Sequence, residues 1–148
     1  MQPQTHITFV DRKAVTARVV FTYPHLHRMQ ANGTFPPAYK LGRCRLAWNN
    51  AEVTAWMQSR IDQRLGNTAV LTDDDRFIDR AELCTLVPYS PNHFLRLEKS
   101  GVFPLRIVLG PKRVAWLERE IFEWIASKKV SMLAVAPTTG QVQPQDRL

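Results

Sequence analysis

Two histidine–arginine pairs mark the residues best suited to chemistry: His25 with Arg28, and His93 with Arg96, three positions apart in each case. On a helix that spacing places both side chains on one face. A guanidinium fork matches the two acceptors of guanine, and an Asn such as Asn92 matches adenine. A second basic set follows each pair: Lys40, Arg43 and Arg45 after the first, Lys112 and Arg113 after the second. Such groups bind polyanions and transform nothing. The sequence carries no nucleophile motif, phosphate loop or paired-carboxylate constellation, so an enzyme is not expected and no cofactor is called for. His25 and His27 face different directions on a helix, which argues against a metal site.

These residues recur because the chain contains one unit twice. Shifting the sequence by 68 positions aligns Phe9–Arg60 with Phe77–Lys128 without a gap, and 17 of the 52 pairs are identical. Chance at ordinary residue frequencies gives about three. The matches include Asp11/Asp79, Arg12/Arg80, Gly33/Gly101, Phe35/Phe103, Pro36/Pro104, Gly42/Gly110, Trp48/Trp116 and Trp56/Trp124. The repeat divides the chain into domains at 9–66 and 77–130, a linker at 67–76, and a tail at 134–148 rich in Pro, Gln, Thr and Gly that reads as disordered. Units of this size bury little core, which leaves packing of one on the other open.

A net charge of +7 favours nucleic acid as the partner. The charge is uneven: residues 9–60 carry eight cations against two acids, residues 77–128 eight against six. The first copy is the stronger electrostatically. Asp73-Asp74-Asp75 lies in the joint and reads as a solvated linker. Cys44 and Cys84 hold non-equivalent positions without ligand spacing and read as reduced thiols. With no apolar run of spanning length and no signal-peptide core, a cytoplasmic protein without a membrane partner is expected.

Local signals arrange the elements. Asp11 suits an N-cap for a short helix over Arg12–Arg18. Thr22, with Pro24 in the first turn, opens a second helix that ends at Asn32-Gly33; the second copy repeats it from Ser90 to Ser100-Gly101. Leu26 and Met29 share its buried face, like Phe94 and Leu97. After Phe35-Pro36, Gly42-Arg43 suits a two-residue type II′ turn in a two-stranded ribbon. A third helix opens at Asn49 with Glu52 placed for a capping box, buries Val53, Trp56, Met57, Ile61 and Leu65, and closes at Gly66. Leu117 stands at the matching cap position, where it is a poor choice. The four tryptophans fall on the apolar stripe and read as core.

The fold class is mainly α with small β-hairpin wings: two tandem winged helix-turn-helix domains. In order and in motif the chain resembles the AlpA-like and excisionase family of MerR-type proteins. The matching residues are Gly33-Thr34-Phe35-Pro36, Lys40-Leu41-Gly42-Arg43, Arg45, Trp48, Glu52-Val53 and Trp56. In the second copy they are Gly101-Val102-Phe103-Pro104, Leu109-Gly110, Arg113, Trp116, Glu120-Ile121 and Trp124. The chain departs from the family at the helix–helix turn, where Val20 and Pro88 stand in place of a frequent Gly.

The resemblance implies DNA binding by a regulator of a prophage or integrative element. The helix-turn-helix mode then nominates Tyr23, His25, His27 and Arg28 in the first recognition helix and Asn92, His93 and Arg96 in the second. Lys40, Arg43, Arg45, Lys112 and Arg113 are the wing contacts. Val108 and Pro111 replace Lys40 and Arg43, so the second wing is weaker. A flexible joint of about ten residues suits closely spaced direct or asymmetric half-sites. Two alternatives stand beside transcriptional regulation. One is an excisionase that bends DNA beside an integrase. The other is an adaptor whose second domain binds RNA polymerase, a partner regulator or another copy of the chain. The oligomeric state is left open.

Overall fold

The computed structural model of the chain describes residues 7–64 and 69–135, with side chains as far as Lys129. The first copy runs β1 (Phe9–Val10), α1 (Arg12–Val19), α2 (Tyr23–Ala31), β2 (Tyr39–Gly42), β3 (Arg45–Asn49) and α3 (Asn50–Ile61). The second repeats the order as β4 (Phe77–Ile78), α4 (Arg80–Leu86), α5 (Pro91–Lys99), β5 (Ile107–Gly110), β6 (Arg113–Leu117) and α6 (Glu118–Val135).

The caps explain where these helices begin and end. Asp11 Oδ1 accepts from the Ala14 amide at 2.9 Å and Asp79 Oδ1 from the Glu82 amide at 2.8 Å, quieting donors that the first turn leaves free. Past the end of α2, Gly33 adopts φ +74°, and the Thr34 amide donates back to the Met29 carbonyl at 2.8 Å. Gly101 repeats the device at φ +77°. A left-handed residue here lets the chain turn while satisfying the last carbonyls, which is why both copies keep glycine.

The ribbon departs from expectation in two ways. It has a third strand, because β1 pairs with β3 and β4 with β6, giving orders β1-β3-β2 and β4-β6-β5. Its tip is also shifted. Gly42 pairs with Arg45 and Gly110 with Arg113, so the turn residues are Arg43-Cys44 and Pro111-Lys112. Neither Gly42 nor Gly110 has positive φ, which a type II′ turn requires of its first central residue. A register irregularity before each glycine absorbs the change.

Tryptophans anchor the interior, as expected. Trp48 and Trp116 are buried to 0% and 1% exposure. Trp56 and Trp124 pack edge-on to Phe35 and Phe103, and their indole N–H groups donate to the Thr34 and Val102 carbonyls, each at 2.8 Å. This clamps the Gly-x-Phe-Pro segment onto the last helix of each copy.

The linker is the main correction. Far from a solvated tether, the described part of it is docked: Leu71 is buried and Asp75 is 7% exposed. Buried Arg18 donates to the Asp75 carbonyl at 2.7 Å, to Asn50 Oδ1 at 2.7 Å and to the Thr72 carbonyl at 3.1 Å. Thr54 holds Asp73 at 2.8 Å. From the second copy, Arg119 pairs with Asp75 at 3.0 Å. Asp75 serves as the acceptor for Arg119, Asp73 as one for Thr54, and the linker backbone as one for buried Arg18; a composition reading sees only the charge of the acids.

Both copies also share one core. Phe77, Ile107, Leu109, Ala115 and Leu117 of the second pack in the same cluster as Val15, Phe21, Trp56 and Ile61 of the first. Leu117 is fully buried there, which accounts for its presence at a capping position. The Glu118 amide instead donates to the Arg76 carbonyl at 3.0 Å, as the Asn50 amide does to Thr8 in the first copy at 2.8 Å.

Helix α3 stops at Ile61 rather than running to Leu65 and Gly66, which lie outside the described residues. Arg64 turns away to donate to the Leu105 carbonyl at 2.9 Å and to pair with Glu120 at 2.9 Å. The expected capping box at Glu52 is not formed. Asn49 caps through the Ala51 amide, and Glu52 accepts from the Tyr39 hydroxyl at 3.0 Å. Helix α6 extends to Val135, past the expected start of the tail at 134; residues 136–148 lie outside the described part. Among the described residues no helix is long and apolar enough to cross a membrane.

Candidate nucleic-acid interface

Helix α2 buries Leu26 and Met29 and turns its other side outward. His27 and Arg28 are exposed there, and Tyr23 and His25 are half-buried. The Arg28 guanidinium donates to His25 Nδ1 at 3.3 Å, and Arg96 donates to His93 Nδ1 at 3.1 Å. A guanidinium has no acceptor, so the ring nitrogen facing it must accept. The histidine thus orients the arginine fork toward solvent in both copies. Burial, then the charges of Arg113 and Arg28, hold His25 below the ordinary imidazole value, which keeps the acceptor neutral at pH 7.

In the second copy Asn92 and Arg96 are exposed and His93 is half-buried, on a helix that buries Phe94. On α2 the contacts group the nominated residues as two pairs, His25 with Arg28 and Tyr23 with His27, whose ring centroids lie 6.1 Å apart. In the first wing Lys40, Arg43 and Arg45 are all exposed. In the second, Lys112 is exposed at the tip, while Arg113 is half-buried and donates to the Val20 carbonyl at 3.2 Å, its guanidinium lying 5.4 Å from the Phe21 ring centroid. Part of the expected wing contact of Arg113 is spent on the first domain.

A further set was not nominated from sequence. Arg12 stacks on the Tyr23 ring at 3.9 Å, bringing the start of α1 beside the start of α2. With Lys13 and Arg45 it rims a shallow groove of about 230 Å³ between helix and ribbon. The second copy has the equivalent groove, also about 230 Å³, rimmed by Arg80, Lys112 and Arg113. Each groove is lined by three cations and one carboxylate, the helix-capping Asp11 or Asp79; Lys13 gives way to Ala81, and Lys112 appears where Cys44 stood. The Arg12/Arg80 identity in the repeat was the available signal, masked by the reading of these residues as ordinary first-turn positions.

Where Val20 precedes α2, the chain takes φ +55°, ψ +33°. A β-branched residue is strained in that left-handed region. The second copy avoids the conformation: Pro88 stands at the equivalent position, its ring fixing φ at about −65°, and Val87 ahead of it is extended at φ −129°.

A helix pair followed by a sheet ribbon and a third helix, the sheet packed on the first and third helices and the order repeated in both halves, defines a winged helix-turn-helix protein in tandem. Residues 8–61 and 76–129 each match the family described as "Prophage CP4-57 regulatory protein (AlpA)". The chain belongs to that family and carries its domain twice. The chain is also similar to a protein of Enterobacteria phage P4 described as "Uncharacterized protein ORF88", at 35% identity over 54 residues, 36% of this chain and 61% of that protein. The chain thus spans less than two-thirds of that relative.

Proposed function

We propose that the protein is a sequence-specific DNA-binding transcriptional regulator of a prophage or integrative element, and that its two domains read one composite site as a rigid pair. The observation that supports this most is the recurrence, in both copies, of an oriented His–Arg pair beside a three-cation groove. Arg28 and Arg96 suit base edges in the major groove, with Tyr23, His27 and Asn92 beside them. Arg12, Lys13, Arg45, Arg80 and Lys112, with Lys40 and Arg43 at the first wing, suit phosphates and set the register. The docked linker replaces a flexible tether, so the two half-sites have one spacing instead of a range.

Fluorescence anisotropy of the full chain on DNA from its own upstream region, across a salt series, tests this reading. Affinity should fall steeply with salt, and Arg28→Ala and Arg96→Ala should each weaken specific binding by about 1–3 kcal/mol. Sequence-indifferent binding, or an Arg96→Ala variant that binds like wild type, refutes joint reading and favours an adaptor role for the second domain. An excision assay with the element's integrase separates regulation from excisionase action.

A further inference from the structure

The junction that locks the domains together leaves a cleft, and its chemistry differs from that of the DNA-facing grooves. Its volume is about 550 Å³, within the range of small-molecule sites. One wall is the first domain, with Phe21, His25, Met29 and Arg60. The other is the second wing, from Leu109 to Arg113. Phe21, Met29 and Leu109 make the floor apolar. Among the described residues every charged group on the wall is a cation: Arg60, Lys112 and Arg113 line it, and no carboxylate does.

Arg60 is the distinguishing residue. Its guanidinium lies 5.1 Å from the Trp56 ring centroid, and its Nε is buried without a hydrogen-bond partner. A buried donor left unmade is costly, and natural proteins rarely keep one without a use. Nearby, the positive charge of Arg113, together with burial, already holds His25 neutral. The cleft therefore carries positive potential over an apolar floor.

We infer that this interdomain cleft binds a small apolar carboxylate, its hydrocarbon body against Phe21, Met29 and Leu109 and its anionic group on Arg60. A DNA phosphate fits worse, because it has nothing to place on the apolar floor. The site goes beyond DNA reading: it makes the protein responsive to a metabolite. Since His25, Lys112 and Arg113 serve both the cleft and the DNA face, an anion held there takes positive charge from that face. Occupancy and DNA binding then oppose each other by one reciprocal factor.

The test is made on the full chain without DNA, so it stands apart from the DNA-binding proposal. Isothermal titration would use 2-naphthoate as probe, its neutral counterpart 2-naphthamide, and inorganic phosphate as competitor. The inference expects saturable one-to-one binding of naphthoate, at least about tenfold weaker binding of naphthamide, and no displacement by phosphate. Arg60→Met, which keeps a packing stem over Trp56, should weaken naphthoate at least about tenfold. So should Pro111→Glu, which places a negative charge at an exposed tip and leaves the core intact. Melting curves would verify that both variants fold. Absence of saturable binding, equal binding of the amide, displacement by phosphate, or wild-type affinity in both folded variants each overturns the site.

Discussion

The two copies share their elements, the aspartate and glycine helix ends and the tryptophans, yet their interiors differ. The second has a cluster of its own around Ile78, Leu83, Phe94, Phe103, Trp116 and Ile121. The interior of the first is completed by five residues that the second supplies. Three aligned positions carry the difference. Asn49 caps a helix where Leu117 fills the shared core. Val20 bears left-handed strain where Pro88 avoids it. Arg45 is exposed on its wing where Arg113 reaches the Val20 carbonyl. Two of these positions differ in residue type and the third is the same arginine set differently, and Leu117 and Arg113 both join the second copy to the first. Of the four acids by which the second copy exceeds the first, Glu82 and Glu118 hold Arg76 at the end of the linker and Glu98 holds Arg106 within the copy.

Exchanging the cap position separates the copies most strongly. Leu117→Asn removes a fully buried leucine and should destabilise the chain by about 3–4 kcal/mol. Asn49→Leu loses a cap worth about 1 kcal/mol. Denaturant titrations of the two variants would measure the gap; equal losses would show that Leu117 does not join the domains.

Acid probes the junction next. Burial pushes the Asp75 carboxyl up, but hydrogen bonds from Arg119 and Thr72, with the charge of Arg119, outweigh it and hold the group below its ordinary 3.8. A depressed folded value contributes stability that is full above the unfolded pKa and is lost as pH falls through the folded one. Melting temperature should therefore decline below about pH 4. Asp75→Asn should cost about 1.5 kcal/mol at pH 7 and flatten that decline. An unchanged acid profile in the variant would remove Asp75 from the account.

The smallest expected effect lies at the turn. Val20→Gly relieves φ +55° and should raise stability by under about 1 kcal/mol, strain relief being partly offset by the freedom glycine adds to the unfolded chain. A loss of more than about 1 kcal/mol would mean that Val20 packing outweighs its strain.

Most of each copy was legible. Asp11, Asp79, Gly33 and Gly101 act within a few residues of themselves, so their types announce helix ends, and the tryptophan spacing exposes the stripe that becomes core. The His–Arg contacts were legible for the same reason, as His25 and Arg28 meet within one turn. What escaped was contact across long separations. Asp75 meets Arg119 44 residues away and Arg113 meets Val20 93 away; neither leaves a periodic trace. Leu117 was visible only as a misfit, and a misfit in one copy of a repeat marks where that copy has another duty. The third strands were missed because two residues are too few to show alternation.

Spacing tests the central claim most directly. Once footprinting defines the site, about five base pairs, half a helical turn, would be inserted between the half-sites and affinity measured again by anisotropy. A rigid pair loses the second domain's contribution, so binding should fall by about a hundredfold or more, toward that of a single half-site. A loss of less than about threefold would mean that the domains move independently on DNA, and the locked junction would not be the device that reads the site.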